Sequence, residues 1–332
     1  MRRHTLILSL LAMMTVMASC VHEWPENLHP EREVRLNIHH RLDWSESLEI
    51  EVTRAAQPSQ LARYHMMVCE AGNPSNQLAV SEFTTTDLTR ADFTTSLHLQ
   101  PGNYDLWVWS DWADTNGKSL CYESSDFSHI HYPEPYRGGN EMRDALRGMT
   151  SFTIDDNYLS DYSIDIDLTL ERPLARYEFI STDLNEFIDN ETSRGLMQYP
   201  SFDAPSRLPE MDNYTVKMIY SGYMPSEFDN FQNKPVNSTT GVSYTARIRP
   251  ISDDEALLGF DYVMVNGHES SIPVAMELYD PEGTLIGRTN PIDVPTQRNR
   301  CTIVRGKFLT SKATGGVGIN PDFNGDFNIE IR

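Results

Sequence analysis

The chain carries none of the short patterns that mark common catalytic centres. It has no HExxH, no GxSxG, no P-loop and no GxGxxG, so nothing points to a zinc protease, an α/β-hydrolase, a nucleotide hydrolase or a dinucleotide enzyme. No catalytic residue, metal or cofactor is expected, and the chain is read as a non-enzyme. Positive charge is also scarce: 27 Lys and Arg stand against 48 Asp and Glu, a net charge of −21 over 332 residues. Such a surface repels nucleic acid and anionic membrane, which removes both as expected partners. Cysteine is sparse, with only Cys20, Cys69, Cys121 and Cys301. With Cys20 set apart as a modification site, three remain, and an odd number excludes a closed disulfide framework. Two alternatives stay open, a Cys69–Cys121 pair or three buried free thiols. Beyond the first twenty residues no segment is apolar enough to cross a bilayer, which takes about 20 residues.

The apolar run that does exist opens the chain. Met1, Arg2, Arg3 and His4 precede LILSLLAMMTV at residues 6–16. A charged start, a short apolar stretch and small residues before a cut are the marks of a secretory signal. Met17-Ala18-Ser19-Cys20 resembles a bacterial lipobox, in which the cysteine thiol is acylated and becomes the new N-terminus. Methionine stands where leucine is more usual. Residues 1–19 are therefore read as a lipoprotein signal peptide and Cys20 as the lipid attachment. Each buried methylene contributes roughly 0.8 kcal/mol, so several acyl chains hold where a single one would not. The alternative is an ordinary signal peptide with Cys20 as a bystander.

In the remainder the dominant period is two. Ile164, Ile166, Leu168 and Leu170 alternate with polar residues, as a half-buried strand requires. Similar alternation appears at Val34-Leu36-Ile38, Leu48-Ile50-Val52, Val216-Met218-Tyr220, Val242-Tyr244-Ala246-Ile248 and Phe327-Ile329-Ile331. Turn clusters such as Gly72-Asn73-Pro74 and Asp280-Pro281-Glu282-Gly283 separate them. Many short strands between turns predict an all-β protein of sandwich type. Helical periodicity is confined to residues 181–189, capped by Ser181 or Thr182, and to residues 140–147. Pro173 follows the strand ending at Leu170 and cannot donate to a central ladder. The chain is accordingly divided into domains 20–171 and 172–332.

YDLWVWSDW at residues 104–112 is apolar on both faces, and such strands are normally covered on both. The turn-rich stretch 113–150 is the expected cover. The functional alternative is an exposed aromatic strip of Trp107, Trp109 and Trp112 that stacks on sugars. His129 and His131 share a side of an extended loop without a third ligand at typical spacing. Asp322, Asn324, Asp326 and Asn328 alternate, but Gly325 stands fourth rather than sixth and no glutamate stands twelfth. Neither pattern is read as a metal site.

Several segments together resemble a known family. LQPGNYDLWVWSDWADT (99–115), RDALRGMTSFTI (143–154), LERPLARYEFISTD (170–183), YSGYMPSEFDNFQNKPVNSTTGVSY (220–244) and the last segment from Val294 to Ile331 are similar, in order, to fimbrillin-like lipoproteins of Gram-negative anaerobes. These build type V pili by protease-mediated assembly. The resemblance implies two tandem transthyretin-like β-sandwich domains and an outer-membrane lipoprotein exposed at the cell surface or built into a fimbrium. It implies like or related pilin subunits as partners, with a host or glycan ligand in adhesive members. Assembly in the family removes a leading strand by cutting after an arginine, and a strand of the next subunit fills the slot. Carried over, the leading strands are Val34–His39 and Leu48–Val52. Arg54 becomes the processing site, with Arg41 and Arg63 (the latter in a polar linker) as rivals. Phe327, Ile329 and Ile331 become the donor strand. The expected function is a stalk, tip or anchor subunit assembling by strand exchange. The alternative is a surface glycan-binding lipoprotein.

Overall fold

The computed structural model of the chain describes residues 31–42, 60–86, 92–156, 162–197, 211, 213–267, 270–310 and 326–331. They form an all-β, sandwich-like protein. In the first half the strands are β1 (Arg32–Leu42), β2 (Leu61–Glu70), β3 (Asn73–Thr85), β4 (Asp92–Leu99), β5 (Gly102–Ala113), β6 (Ile130–His131), β7 (Leu146–Ile154) and β8 (Tyr162–Glu171). All but β6 join one seven-stranded sheet in the order β3-β2-β5-β7-β8-β1-β4.

That sheet folds over on itself. β7 and β8 share only the pairs Arg147↔Glu171 and Gly148↔Leu170, so the ladder turns a corner there. A Cβ on Gly148 would sit 2.8 Å from Leu170 Cδ2 and from the Thr169 carbonyl, closer than packed atoms tolerate, so the corner needs glycine. The fold brings the two ends of the sheet together. Phe93 of β4 stacks on Phe83 of β3 at 5.5 Å and lies 5.4 Å from Tyr64 of β2. Val34, Leu36, Ile38, Leu106, Val108, Leu168 and Leu170 fill the enclosed core. Period two puts every other side chain of these strands inside.

The second half contributes β9 (Leu174–Ser181), α1 (Leu184–Ser193), β10 (Thr215–Tyr220), β11 (Met224–Asp229), β12 (Lys234–Thr239), β13 (Ser243–Arg247) and β14 (Arg249–Pro250). It continues with β15 (Ala256–Met264), β16 (Ser270–Tyr279), β17 (Leu285–Arg288), β18 (Ile292–Thr296), β19 (Arg300–Gly306) and β20 (Asp326–Ile331). One sheet runs β13-β10-β16-β17, with β18 also on β16, and another runs β14-β15-β9-β19-β20. Tyr177, Phe179, Val216, Met218, Leu258 and Met276 belong to one apolar core that both sheets line.

β8 ends at Glu171 and β9 starts at Leu174, where Pro173 was expected to break the ladder. The halves nevertheless share material. β6 pairs with β11 through Phe228↔Ile130 in a sheet ordered β12-β11-β6. The second-half core also continues without a break to Trp107 and Trp109 of β5.

Three local expectations need correction. The stretch read as a polar linker around Arg63 is β2, buried almost throughout, because its neighbours cover both of its faces. The helix expected at 181–189 exists as α1, but its N-cap is Asp183, and that side chain makes no cap bond. Ser181 and Asp183 are taken by the chain beyond β19 instead: Ser181 Oγ accepts from the Phe308 and Leu309 amides, and Asp183 from the Thr310 amide at 2.9 Å. The helix expected at 140–147 shrinks to a single 3-10 turn, Glu141–Arg143, capped by Asn140. Arg143 is drawn into the core, and the chain enters β7 at Leu146.

Candidate functional site

β5 places Trp107 and Trp109 on the face opposite the first core, and Trp112, paired with Ala62, on the side of that core. Trp107 and Trp112 are 9% and 8% exposed and Trp109 is not exposed at all. Trp109 meets Tyr122 edge-on at 5.3 Å, and Trp107 meets Phe231 edge-on at 5.1 Å. The stretch 113–150 covers this face as expected. The residues around β11 supply the rest of the cover, which the sequence reading missed because they lie more than a hundred positions away. A sugar-stacking strip of Trp107, Trp109 and Trp112 therefore does not exist here. Stacking needs an open aromatic face, and all three faces are packed.

Polar groups are trapped beneath the same cover. Arg63 on β2 grips Asp111 on β5 with two bonds of 2.9 Å. Ser119 and Trp109 also donate to Asp111. Burial pushes the Asp111 carboxyl up, and the Arg63 guanidinium opposes it. Arg63 is thus buried on an interior strand, and this excludes it as a processing site. Arg41, the other rival, sits exposed on β1 opposite Thr169.

Two histidines are buried as well. His40 Nε2 lies 3.1 Å from the Tyr64 hydroxyl, with Asp92 the acidic group acting on it. His65 packs edge-on to Phe127 at 4.9 Å, with Glu82, Arg63 and Asp111 acting on it. Burial lowers both below the ordinary 6.5. Below that value the unfolded chain holds protons that the native chain refuses, so stability falls as the pH drops through about 6.5. The exposed His39 and His129 are raised, first by their bonds to Asp92 and Glu227, and act in the opposite sense, weakened by solvent. The urea midpoint is expected to fall from about pH 7.5 to about pH 5.5, and to fall less in His65→Gln. An equal fall in that variant would remove His65 as a cause.

The most concentrated chemistry joins the halves. Arg143, 2% exposed, places Nε 2.8 Å from Asp261 Oδ1 and donates from Nη2 to the Tyr262 carbonyl at 3.0 Å. Asp261 Oδ2 accepts from Tyr136 at 2.6 Å and from Tyr220 at 2.7 Å. Tyr177 donates to Tyr220 at 2.9 Å, and Tyr122 donates to the Arg143 carbonyl. The Arg143 guanidinium lies 4.1 Å from the Tyr132 ring centre and 4.4 Å from that of Tyr136. Burial raises the hydroxyls of Tyr122, Tyr136, Tyr177 and Tyr220 well above their usual value, so they stay protonated and donate. A Cβ on Gly138 would run into Tyr244 and Asp261, so glycine permits this approach. Arg147 adds a second tie, from Nε to Asn230 Oδ1 at 2.9 Å. The arrangement clamps one half to the other and presents no open nucleophile.

The expected site residues do not converge. Cys20 and Arg54 lie outside the described residues, as do the expected strand Leu48–Val52 and Asp322 and Asn324. Phe327, Ile329 and Ile331 fall at alternate positions of β20, an edge strand paired to β19 opposite Val304, Thr302 and Arg300. His129 pairs with Glu227, whereas His131 Nδ1 meets the His129 carbonyl at 2.9 Å. The two rings thus serve different partners. Among the described residues no group of three His, Cys, Asp or Glu could hold a metal. Cys69, Cys121 and Cys301 are buried free thiols, and burial pushes Cys121 up to about 11. No helix among the described residues is long and apolar enough to cross a membrane.

The model of a family of unknown function, DUF6562, matches residues 28–332. No curated protein matches the chain. Among solved structures, the fimbrial anchor protein Mfa2 from Porphyromonas gingivalis is similar at 11% identity and TM-score 0.42, over 83% of this chain and 90% of that one. The tip fimbrial protein Mfa3 of the same organism, with a C-terminal truncation, is similar at 11% identity and TM-score 0.37, over 91% of this chain and 100% of that one. A candidate polysaccharide-binding protein (DUF1812) from Bacteroides thetaiotaomicron is similar at 12% identity and TM-score 0.46, over 82% and 91% of the two chains.

Proposed function

The chain belongs to the family of unknown function DUF6562, and we propose that it is a non-enzymatic structural subunit of a fimbria-like cell-surface fibre. In this reading it is exported as a lipoprotein, held to the outer membrane through acylated Cys20, and built from sandwich units 20–171 and 172–332. It joins like or related subunits by strand exchange, as stalk, tip or anchor.

The observation that carries this reading is the position of β1. It runs parallel to β8 from Val34↔Tyr162 to Leu42↔Leu170 and antiparallel to β4 from Arg32↔Leu99 to His39↔Asp92. Its inward residues Val34, Leu36 and Ile38 are fully buried. A strand near the N-terminus is thus an interior strand of the sheet, and Arg54 follows it in the sequence. A cut after Arg54 would release β1 together with the lipid. The slot left behind would expose two unpaired ladder edges and an apolar floor, a template for an added strand. Each restored hydrogen bond contributes about 1 kcal/mol net, and buried apolar surface adds about 25 cal/mol per Å². The Phe327, Ile329 and Ile331 alternation of a neighbouring subunit suits such a floor.

The test is intact-mass and N-terminal analysis of protein taken from its native outer membrane. A lipid-free chain beginning at Ala55, in detergent-resistant oligomers, is expected of a polymerising subunit. An acylated Cys20 start in complex with fibre subunits is expected of an anchor. A chain that begins at neither residue overturns the reading.

A further inference from the structure

The connector that covers the tryptophan face also forms a half-open pocket of about 180 Å³. Its wall carries three cationic side chains, Lys118, Arg137 and Arg143, and two carboxylates, Glu123 and Glu134, with Tyr132 beside them. In a chain with 48 acidic and 27 basic residues, cations at half-buried positions tend to find carboxylates. Arg63, Arg147, Arg172 and Arg176 all do so. Lys118 and Arg137, by contrast, are exposed on the pocket wall, and among the described residues neither forms an ion pair that would hold it away from an incoming anion. Arg143 holds Nε 2.8 Å from Asp261 Oδ1 and donates from Nη2 to the Tyr262 carbonyl. The buried Tyr132 hydroxyl makes no well-formed hydrogen bond, although Arg143 and the Met264 backbone act on it. Buried polar groups normally have partners, so a polar wall with spare donors has the character of a binding site.

The composition of the wall narrows the occupant. Spare cationic donors suit a carboxylate. Glu123 and Glu134 repel a second carboxylate but accept hydrogen bonds from hydroxyl groups. The volume lies below the roughly 300–1,000 Å³ of sites for drug-sized ligands, which limits the occupant to a single small ring. We propose that this pocket binds a monosaccharide that carries one carboxylate, a sugar acid of the uronate class, with the acid group on Arg137 and Lys118 and ring hydroxyls on Glu123 and Glu134. The site is separate from the buried tryptophans and from the β1 slot. The proposal goes beyond the fibre reading and does not depend on it.

The test is calorimetric titration of the full chain with sodium glucuronate at low ionic strength, with glucose and sodium sulfate as comparisons. Glucuronate is expected to bind, and glucose and sulfate to bind at least about tenfold more weakly. The double variant Lys118→Ala/Arg137→Ala is expected to weaken glucuronate by at least about tenfold at an unchanged thermal midpoint, because neither side chain supports the core. Glu123→Gln, which keeps the shape, is expected to bring the affinities for glucuronate and sulfate closer together. No glucuronate binding, equal binding of sulfate, or binding that survives the double variant would each overturn the proposal.

Discussion

Arg143→Ala is expected to lower the unfolding free energy by about 3–5 kcal/mol, the cost of stranding a buried charge whose partner is gone. The stranded group is Asp261, whose side chain has no solvent exposure. Two tyrosine hydroxyls would still donate to it, but they cannot neutralise it. Asp261→Asn should cost less than Asp261→Ala, because the amide oxygen still accepts from Tyr136 and Tyr220. Losing one charged hydrogen bond in Tyr220→Phe is expected to cost about 1.5–3 kcal/mol. Arg143 comes from the first half and Asp261 from β15 in the second, so the loss should appear in one cooperative urea transition that reports both halves. Tryptophan fluorescence reads the junction, since Trp107 and Trp109 lie on β5 and pack in the core that continues into the second half, and far-ultraviolet circular dichroism reads the whole. If the two probes separate in the parent protein, or if Arg143→Ala shifts only one of them, the clamp does not couple the halves.

Leu36→Ala is expected to destabilise the chain by about 2–5 kcal/mol, the range for truncating a buried leucine. Leu36→Asp should prevent β1 from docking, because an unpaired carboxylate on that floor has no partner. Leu36 is fully buried between Val34 and Ile38, and its strand has neighbours on both sides. The stronger form of the experiment uses a chain that begins at Ala55 and therefore lacks β1. It should unfold at a lower urea concentration than the full chain and recover when a peptide of residues 31–42 is added. A peptide carrying Leu36→Asp should not restore it. Equal midpoints for the two chains would mean that β1 contributes nothing to the fold, and the slot would lose its meaning.

Much of the strand pattern was legible without coordinates. Ile164, Ile166, Leu168 and Leu170 share a face as their alternation predicted, and β9 begins one residue beyond Pro173. β2 escaped notice because it is buried on both faces, and a strand with no polar face has no period to read. The tryptophan strip shows the same difficulty from the other side. Apolarity on both faces of β5 announced a cover, yet only part of that cover lay nearby in sequence. Phe228 and Phe231, which complete it, carry no local signal that they belong there. The Arg143–Asp261 clamp was invisible for a related reason. Its members are ordinary residues separated by more than a hundred positions, and only folding lowers the dielectric around them enough to make their pairing matter.

By itself, then, the sequence determined the class: an acidic, strand-rich chain without catalytic signatures, opening on a lipobox-like segment. Composition and period are local properties, and short-range sterics and hydration are enough to express them. Only the tertiary structure decided what is open and what is closed. It closed the tryptophans and Arg63, inserted β1 between β8 and β4, and left Lys118 and Arg137 unpaired around one pocket. Burial depends on which distant segments arrive to cover a surface, and no window of sequence holds both partners of such a contact.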